Sequence, residues 1–186
     1  MAFLPGSKFR TFFFDPTGDT NTDSNTVPDL AARGAWGSIF RVDLSADRNS
    51  GKLSIFVLGD SAHSSFDNLA FANGRQLLAA EDRGDTLHKQ LDLLDSIWAF
   101  NVLDGSDLRF VALGRDTASE TDAALLDAGT AGYQNDGDNE PTGVHVSIGS
   151  TSPNGQLGTL QNMSNPRAFF SQQHGMNTLF EIVPAE

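Results

Sequence analysis

The sequence predicts an all-β protein built from short antiparallel strands. Apolar or alternating runs recur along the chain, and Gly, Asn and Asp separate them in the manner typical of strand boundaries. Asn73-Gly74 and Asp104-Gly105 each stand between two such runs, where these dipeptides are strong local signals for a β-hairpin. Residues 121–128 suit a short helix, and otherwise almost no helix is expected.

The predicted strands are separated by long polar connections at residues 15–35, 82–95 and 115–141. The runs that predict strands are residues 9–14, 38–44, 53–58, 69–71, 76–80, 96–102, 108–113, 143–148, 167–171 and 178–183. A sandwich, a barrel and a propeller all fit this pattern, and no crisp internal repeat selects one of them. The pattern alone therefore predicts antiparallel β-structure and nothing finer.

The composition excludes several classes of protein. Hydrophobic residues make up 39% and charged residues 19% of the chain, as in globular rather than disordered proteins. No run approaches the roughly 20 apolar residues of a membrane-spanning helix. The absence of cysteine removes disulfides, zinc-thiolate sites and thiol nucleophiles. Residues 1–8 lack the apolar run of a secretory signal peptide.

The chain is acidic, with a formal net charge of −12 from 24 acidic and 12 basic residues. Nucleic acid is a poor candidate partner, because phosphate backbones attract clusters of Lys and Arg. Two interpretations of the acidity remain open. Most carboxylates fit a solvated surface, while a few fit ligands of divalent cations.

Three polar clusters lie next to predicted strands. Asp67 and Asn68 come immediately before a strand, Glu81 and Asp82 immediately after the next, and Glu140 directly before a later one. Hard cations such as calcium need several oxygen ligands at once, and these side chains supply them. The alternative is turn chemistry, because Asp and Asn favour loops by bonding to nearby backbone. Taken singly, each acid fits a turn better than a metal site; the three clusters together shift the balance toward a metal site and leave both interpretations open.

The histidines and the familiar catalytic motifs give weaker signals. His174 follows a predicted strand in a Ser-Gln-Gln-His run and suits a hydrogen-bonded structural residue better than a metal ligand. His63, His88 and His145 have no acidic or nucleophilic partner at a recognisable spacing, so no role is predicted for them. Phosphate-binding Gly-Lys loops, Gly-x-Ser-x-Gly elbows and His-Glu-x-x-His helices are absent from the sequence.

The order of five short motifs resembles the C-terminal half of the PhoX family of bacterial calcium-dependent alkaline phosphatases. The resemblance runs from about residue 34 to the end of the chain, and each motif by itself is weakly specific. The motifs are Trp36-Gly37, Asp67-Asn68-Leu69, Glu81-Asp82, Glu140-Pro141-Thr142-Gly143 and Gln173-His174.

That resemblance implies a β-propeller fold and metal-assisted hydrolysis of phosphate monoesters, with calcium and an iron pair as cofactors. It implies Glu81 and Glu140 as the first metal ligands, with Asp67, Asn68 and Asp82 next. An arginine of the family contacts phosphate, and Arg83 or Arg75 is the analogous candidate here. It also implies a periplasmic or extracellular location. Residues 1–35 then form an N-terminal strand and loop extension, and residues 36–186 form the propeller segment.

Two departures from the family bear on function. The metal-bridging cysteine of the family has no counterpart in a chain without cysteine. The strands suffice for a partial β-propeller of about two four-stranded antiparallel blades, so another chain or a missing N-terminal half is expected to complete it. Three functions remain open: a phosphatase segment, a non-catalytic calcium-binding module, and a structural subunit of a larger assembly. In the last, the 14 phenylalanines would be buried against partners.

Overall fold

The computed structural model describes residues 1–18, 36–60, 62–82, 94–113, 140–147, 167–173 and 177–183. The described residues form strands and no helix, so the prediction of an all-β protein is confirmed. The strands are β1 (Ala2–Phe3), β2 (Thr11–Phe14), β3 (Ser38–Leu44), β4 (Gly51–Leu58), β5 (Phe66–Phe71), β6 (Gln76–Glu81), β7 (Ser96–Asn101), β8 (Asp107–Ala112), β9 (Pro141–Ser147), β10 (Arg167–Gln172) and β11 (Leu179–Ile182). No helix in this part of the chain has the length and hydropathy to cross a membrane.

The strands form three antiparallel sheets, each made of strands that follow one another in sequence. The first sheet has the order β1-β2-β3-β4, the second β5-β6-β7-β8 and the third β11-β10-β9. The first sheet joins strands from both sides of the boundary predicted at residue 35. None of the three described sheets closes on itself, so the propeller stays a prediction.

Side chains close the two hairpins that the sequence indicates. The Asn73 carboxamide oxygen accepts the backbone N–H groups of Arg75 and Gln76 at 2.8 and 3.0 Å. The Asp104 carboxylate accepts the N–H and hydroxyl of Ser106 at 3.0 and 2.7 Å. Asn and Asp favour turns because they replace backbone acceptors in this way.

Several bounds in the strand prediction were wrong. The run predicted at residues 9–14 begins as β2 only at Thr11, because Phe9 has a positive φ of 58°. β5 begins at Phe66, so Asp67 and Asn68 lie inside the strand rather than before it, and Glu81 is the last residue of β6 rather than a residue after it. The two-residue strand β1 was not predicted. The helix predicted at residues 121–128 lies outside the described residues.

The second sheet lies between the other two, and both of its faces are buried. Alternate side chains of a strand point to opposite faces, so Leu77 and Ala79 pack toward the first sheet while Leu78 and Ala80 pack toward the third. Phe13 of the first sheet and Phe170 of the third are the corresponding buried rings. Burial on both sides explains why residues 77–80 are apolar without alternation.

A close backbone contact fixes the end of the first sheet. Gly37 has φ +79°, and a Cβ added there would lie 2.3 Å from the carbonyl oxygen of Thr17. A Cβ at Gly59 would lie 1.7 Å from the carbonyl oxygen of Gly37. Only glycine fits Gly37, because it tolerates both the left-handed backbone and the short contact. The fold therefore explains why glycine follows Trp36 in the sequence motif Trp36-Gly37.

Candidate metal site

Three carboxylates converge where the second and third sheets meet. The start of β5 is paired with the end of β6, since Phe66 lies opposite Glu81, and β9 packs against both strands. Asp67, Asp82 and Glu140 each offer a carboxylate oxygen, and these oxygens lie within 4.8 Å of one another. We call these three residues the carboxylate cluster. The structure thus brings together one acid from each of the three clusters that the sequence indicates.

A β-bulge places Asp67. Phe66 pairs with Glu81 and Asn68 with Ala80, so Asp67 is an extra residue on β5 with no cross-strand partner of its own. A bulge of this kind redirects a side chain out of the regular alternation. Asp67 is exposed, which leaves its carboxylate accessible at the rim of the cluster.

Asn68 joins the second sheet to the third. Its amide oxygen accepts the N–H of Gly143 at 3.2 Å, and its amide nitrogen donates to the Thr142 hydroxyl at 3.2 Å and to the Asp67 carboxylate. Gly143 has φ +62° and lies where β9 and β10 shift register. Asn68 therefore positions the start of β9, and its predicted role as a metal ligand stays a prediction.

Glu81 is not among the three residues of the carboxylate cluster. It is completely buried, and its Oε1 accepts the backbone N–H of Ser64 at 3.0 Å. Strand alternation puts Glu81 on the side of Leu77 and Ala79, toward the first sheet, whereas Asp82 continues the side toward the third. Its assignment as a ligand stays a prediction.

Asp82 is held by a strained residue. Ser65 has φ +56°, which is uncommon for a residue other than glycine, and it is buried. Its carbonyl accepts the N–H of Asp82 at 2.8 Å, and its own N–H donates to the carbonyl of Trp36 at 2.7 Å. Strained backbone of this kind costs about 1–3 kcal/mol and is concentrated at functional sites.

Glu140 is the most buried member of the carboxylate cluster, with only 3% of its surface exposed. Its backbone carbonyl accepts the N–H of Gln173 at 2.9 Å, which ties the Glu-Pro-Thr-Gly segment to the end of β10. His174 and Arg83 lie outside the described residues.

Asp15 is a fourth acid at this end of the molecule, and the sequence analysis missed it. Its side chain is only 4% exposed, and its Oδ2 is buried with no hydrogen-bond partner among the described residues. Burial raises the pKa of Asp15 to about 6; the Met1 amino group, 3.8 Å from Oδ1, opposes that rise, and the charge of Asp67 adds to it. Asp15 directly follows β2, so the criterion that selected Glu81 and Asp82 also fits it.

His63 has two acidic partners, contrary to the sequence prediction. Its Nδ1 lies 3.2 Å from Asp60 Oδ1 and its Nε2 lies 3.1 Å from Asp107 Oδ2, while the ring packs on Trp98 at 4.4 Å. Burial acts to raise the pKa of Asp60, but hydrogen bonds from the backbone N–H groups of His63 and Ala62 and the charge of the His63 ring hold it below 3.8. The Asp107 contact joins residues far apart in sequence, and no local spacing reveals it.

A cleft among the described residues lies away from the carboxylates. This cleft, of about 630 Å³, opens between the second and third sheets beside the β5–β6 turn, with no acid among its lining residues. Apolar residues such as Leu78, Val146 and Ala168 line it. Arg75 lies in that same turn, at the opposite end of β5 and β6 from Asp67 and Asp82. The structure therefore does not bring Arg75 to the carboxylate cluster.

Comparison with protein-family models, curated proteins and solved structures found no match to this chain.

Proposed function

We propose that this chain binds a divalent cation, calcium in particular, at Asp67, Asp82 and Glu140. The observation that carries the proposal is the approach of three carboxylate oxygens to within 4.8 Å of one another. Oxygens that share one calcium ion lie about 2.3–2.6 Å from it and therefore up to about 5 Å apart. A cation also offsets the repulsion among three clustered carboxylates, one of which is almost fully buried.

Calorimetric titration with calcium chloride tests the proposal. We expect binding in the wild type and a large loss of affinity in Asp82→Asn and Glu140→Gln, because each removes a charged ligand but keeps its shape. Asp104→Asn is the matched control, since Asp104 is an acid in an exposed turn. Equal calcium affinity in all four proteins would refute the site. Glu81→Gln tests whether Glu81, on the other face of β6, also binds the ion. If Glu81 is a ligand, this variant should lose calcium affinity as Glu140→Gln does; if it is not, the affinity should stay close to that of the wild type.

Thermal melting with and without a chelator gives a second readout. A cation that binds only the folded state stabilises it by about 2.7 kcal/mol when its concentration is one hundred times Kd. Chelation should therefore lower the melting temperature of the wild type and leave that of Glu140→Gln unchanged. A wild-type melting temperature insensitive to the chelator would favour surface carboxylates without a metal.

A phosphatase segment of the PhoX type is the second candidate function. Asp67 and Glu140 come from separate motifs of that resemblance and lie in one carboxylate cluster, which supports this proposal. Calcium there would polarise the phosphoryl oxygens of a phosphate monoester. Iron, a periplasmic or extracellular location, a role for Arg83 and a propeller completed by further blades belong to the same proposal.

Hydrolysis of a chromogenic phosphate monoester, with calcium and iron supplied, tests the second candidate. We expect no turnover by the isolated chain, because the family's cysteine is missing and the three described sheets, rather than the predicted two, are still too few for the roughly four to eight blades of a propeller. Turnover that Glu140→Gln abolishes would show that the chain carries a complete active site. Calcium binding without turnover is the expected result for a segment that lacks the rest of its propeller, and it would make the chain by itself a non-catalytic calcium-binding module.

A further inference from the structure

The first sheet turns an apolar face to solvent. Side chains opposite one another across strands share a face, and the register puts Phe3, Phe12, Val42 and Leu53 in one row across all four strands. A second row contains Phe14, Phe40 and Ile55. We call these two rows the outer face of the first sheet, and neither contains a polar or charged residue.

The outer face is exposed even though its rings contact one another. Leu53 and Ile55 are 59% and 55% exposed, and Phe3 is 40% exposed. Phe3 lies 5.5 Å from Phe12, and Phe14 stacks on Phe40 at 5.3 Å, so the rings form a continuous strip. Contiguous exposed apolar surface of this kind marks an interaction site in soluble proteins.

The charged residues of this sheet lie on its opposite face. Arg41 and Asp43 alternate with Phe40 and Val42 on β3, and Arg41 donates to Asp43 at 2.8 Å. Thr11 donates to the same carboxylate at 2.8 Å. An antiparallel sheet with one solvated face normally places its polar residues toward water. Here the arrangement is reversed, so the outer face is built to be covered.

We propose that a second copy of this chain covers it, with the two outer faces packed against each other around a two-fold axis. With a formal net charge of −12, copies of the chain repel each other. They can associate at low electrostatic cost only through a surface without acids, and the two rows provide one. A two-fold interface uses the same patch on both copies, and sheets pack face to face about 10 Å apart.

The size of the face fits a modest dimer interface. The four strands contain 2, 4, 7 and 8 residues, so at a rise of about 3.4 Å per residue and a spacing of about 4.8 Å they give a flat area of roughly 340 Å² per copy. Two copies then cover roughly 700 Å² of flat area; the relief of the side chains adds to the buried surface and brings the total toward the lower limit of about 1,000–1,200 Å² for specific interfaces. We therefore expect a dimer that dissociates on dilution. The proposal does not depend on the metal site.

Light scattering and sedimentation of the full chain test this proposal through Ile55→Glu. Ile55 is an exposed residue of the edge strand β4, so the glutamate should be tolerated in the folded monomer while it places a charge in the interface. The control is Leu108→Glu, because Leu108 is 67% exposed on β8, the edge strand of the second sheet. Circular dichroism checks that both variants fold.

We expect the wild type and Leu108→Glu to reach twice the 19.9 kDa mass at micromolar concentrations. Ile55→Glu should weaken the dimer at least about tenfold in Kd. A monomeric wild type would overturn the proposal. That outcome includes the case in which another part of the same chain covers the outer face. A dimer unaffected by Ile55→Glu, or one lost only in Leu108→Glu, would overturn it as well.

Discussion

The two sheets at the ends of the stack bury similar inner faces but present opposite outer faces. The first sheet exposes the two apolar rows around Phe12 and Phe40. The third sheet exposes His145, and there Arg167 pairs with Glu181. Phe13 and Phe170 make equivalent contacts with the second sheet between them. The inner faces therefore hold the stack together, and the outer faces decide which end accepts a further layer.

Substitution of adjacent phenylalanines in the first and third sheets should separate the stabilising role of the inner faces from the associating role of the outer faces. Phe13→Ala and Phe170→Ala each remove a fully buried ring and should cost about 3–5 kcal/mol of unfolding free energy. Phe12→Ala and Phe169→Ala remove outward-facing, half-buried rings and should cost about 1 kcal/mol in the monomer. Urea unfolding of the four variants at low protein concentration measures the costs.

The same variants sharpen the comparison when protein concentration is varied. Phe12→Ala should weaken self-association, while Phe169→Ala should leave it unchanged. A cost for Phe12→Ala as large as that for Phe13→Ala in the dilute monomer would mean that the outer face of the first sheet is already covered.

Alanine substitutions at two glycines, Gly37 beside the first sheet and Gly143 in the third, compare how tightly the backbone is packed at each position. Gly37 and Gly143 both have positive φ, which costs a non-glycine residue about 1–2 kcal/mol. A Cβ at Gly143 meets only the Ser171 hydroxyl at 3.5 Å, whereas at Gly37 it meets a carbonyl oxygen at 2.3 Å. Gly37→Ala should therefore cost on the order of 3 kcal/mol, clearly more than Gly143→Ala. Equal losses in urea unfolding would mean that the Thr17 segment moves away freely.

Asp15 gives the first-sheet side of the molecule a distinct pH dependence. Its folded pKa of about 6 exceeds the ordinary value of 3.8, so its contribution to stability is fully present below 3.8 and is lost as the pH rises through about 6. Asp15→Asn should stabilise the protein by about 1–2 kcal/mol at pH values above 6 and have little effect at acid pH. Urea unfolding at both pH values measures the difference.

Asp104 serves as a control because its pKa is shifted in the opposite direction to that of Asp15. Hydrogen bonds from Ser106 hold its pKa below 3.8, so its contribution is present above that value and is lost as the pH falls. Asp104→Asn should therefore destabilise the protein only at neutral pH. A stability advantage of Asp15→Asn that did not grow with pH would rule out a penalty on the charged carboxylate.

The smallest effect is expected on the outer face of the third sheet. Arg167 and Glu181 are 50% and 41% exposed, and ion pairs of this kind contribute about 0–1 kcal/mol. Arg167→Ala should therefore change neither stability by more than about 1 kcal/mol nor the oligomeric state. Loss of the dimer in this variant would mean that the interface lies on the third sheet and not on the first.

Local pattern predicted the strands well and the contacts between them less well. β3 has the predicted bounds because residues 38–44 alternate and a turn follows. Phe12-Phe13-Phe14 does not alternate, so the sequence could not indicate which ring faces outward. The Asp67 bulge depends on cross-strand register, and the His63–Asp107 contact spans 44 positions. Asp67, Asp82 and Glu140 were candidates because each lies beside a predicted strand end, and the structure brings their carboxylates together, whereas Glu81, which the sequence analysis ranked above Asp67 and Asp82, is not in that cluster.

The bulge at Asp67 also has a genetic meaning. Phe66 and Asn68 pair with the neighbouring residues Glu81 and Ala80, so deletion of Asp67 alone would restore an uninterrupted ladder. Every other side chain of β5 would keep its face, because Phe66 and Asn68 already point to opposite sides. A single codon inserted into an ordinary hairpin is thus enough to add the third carboxylate. The third member of the carboxylate cluster can therefore be gained or lost in one step, while the pairing of β5 with β6 is kept.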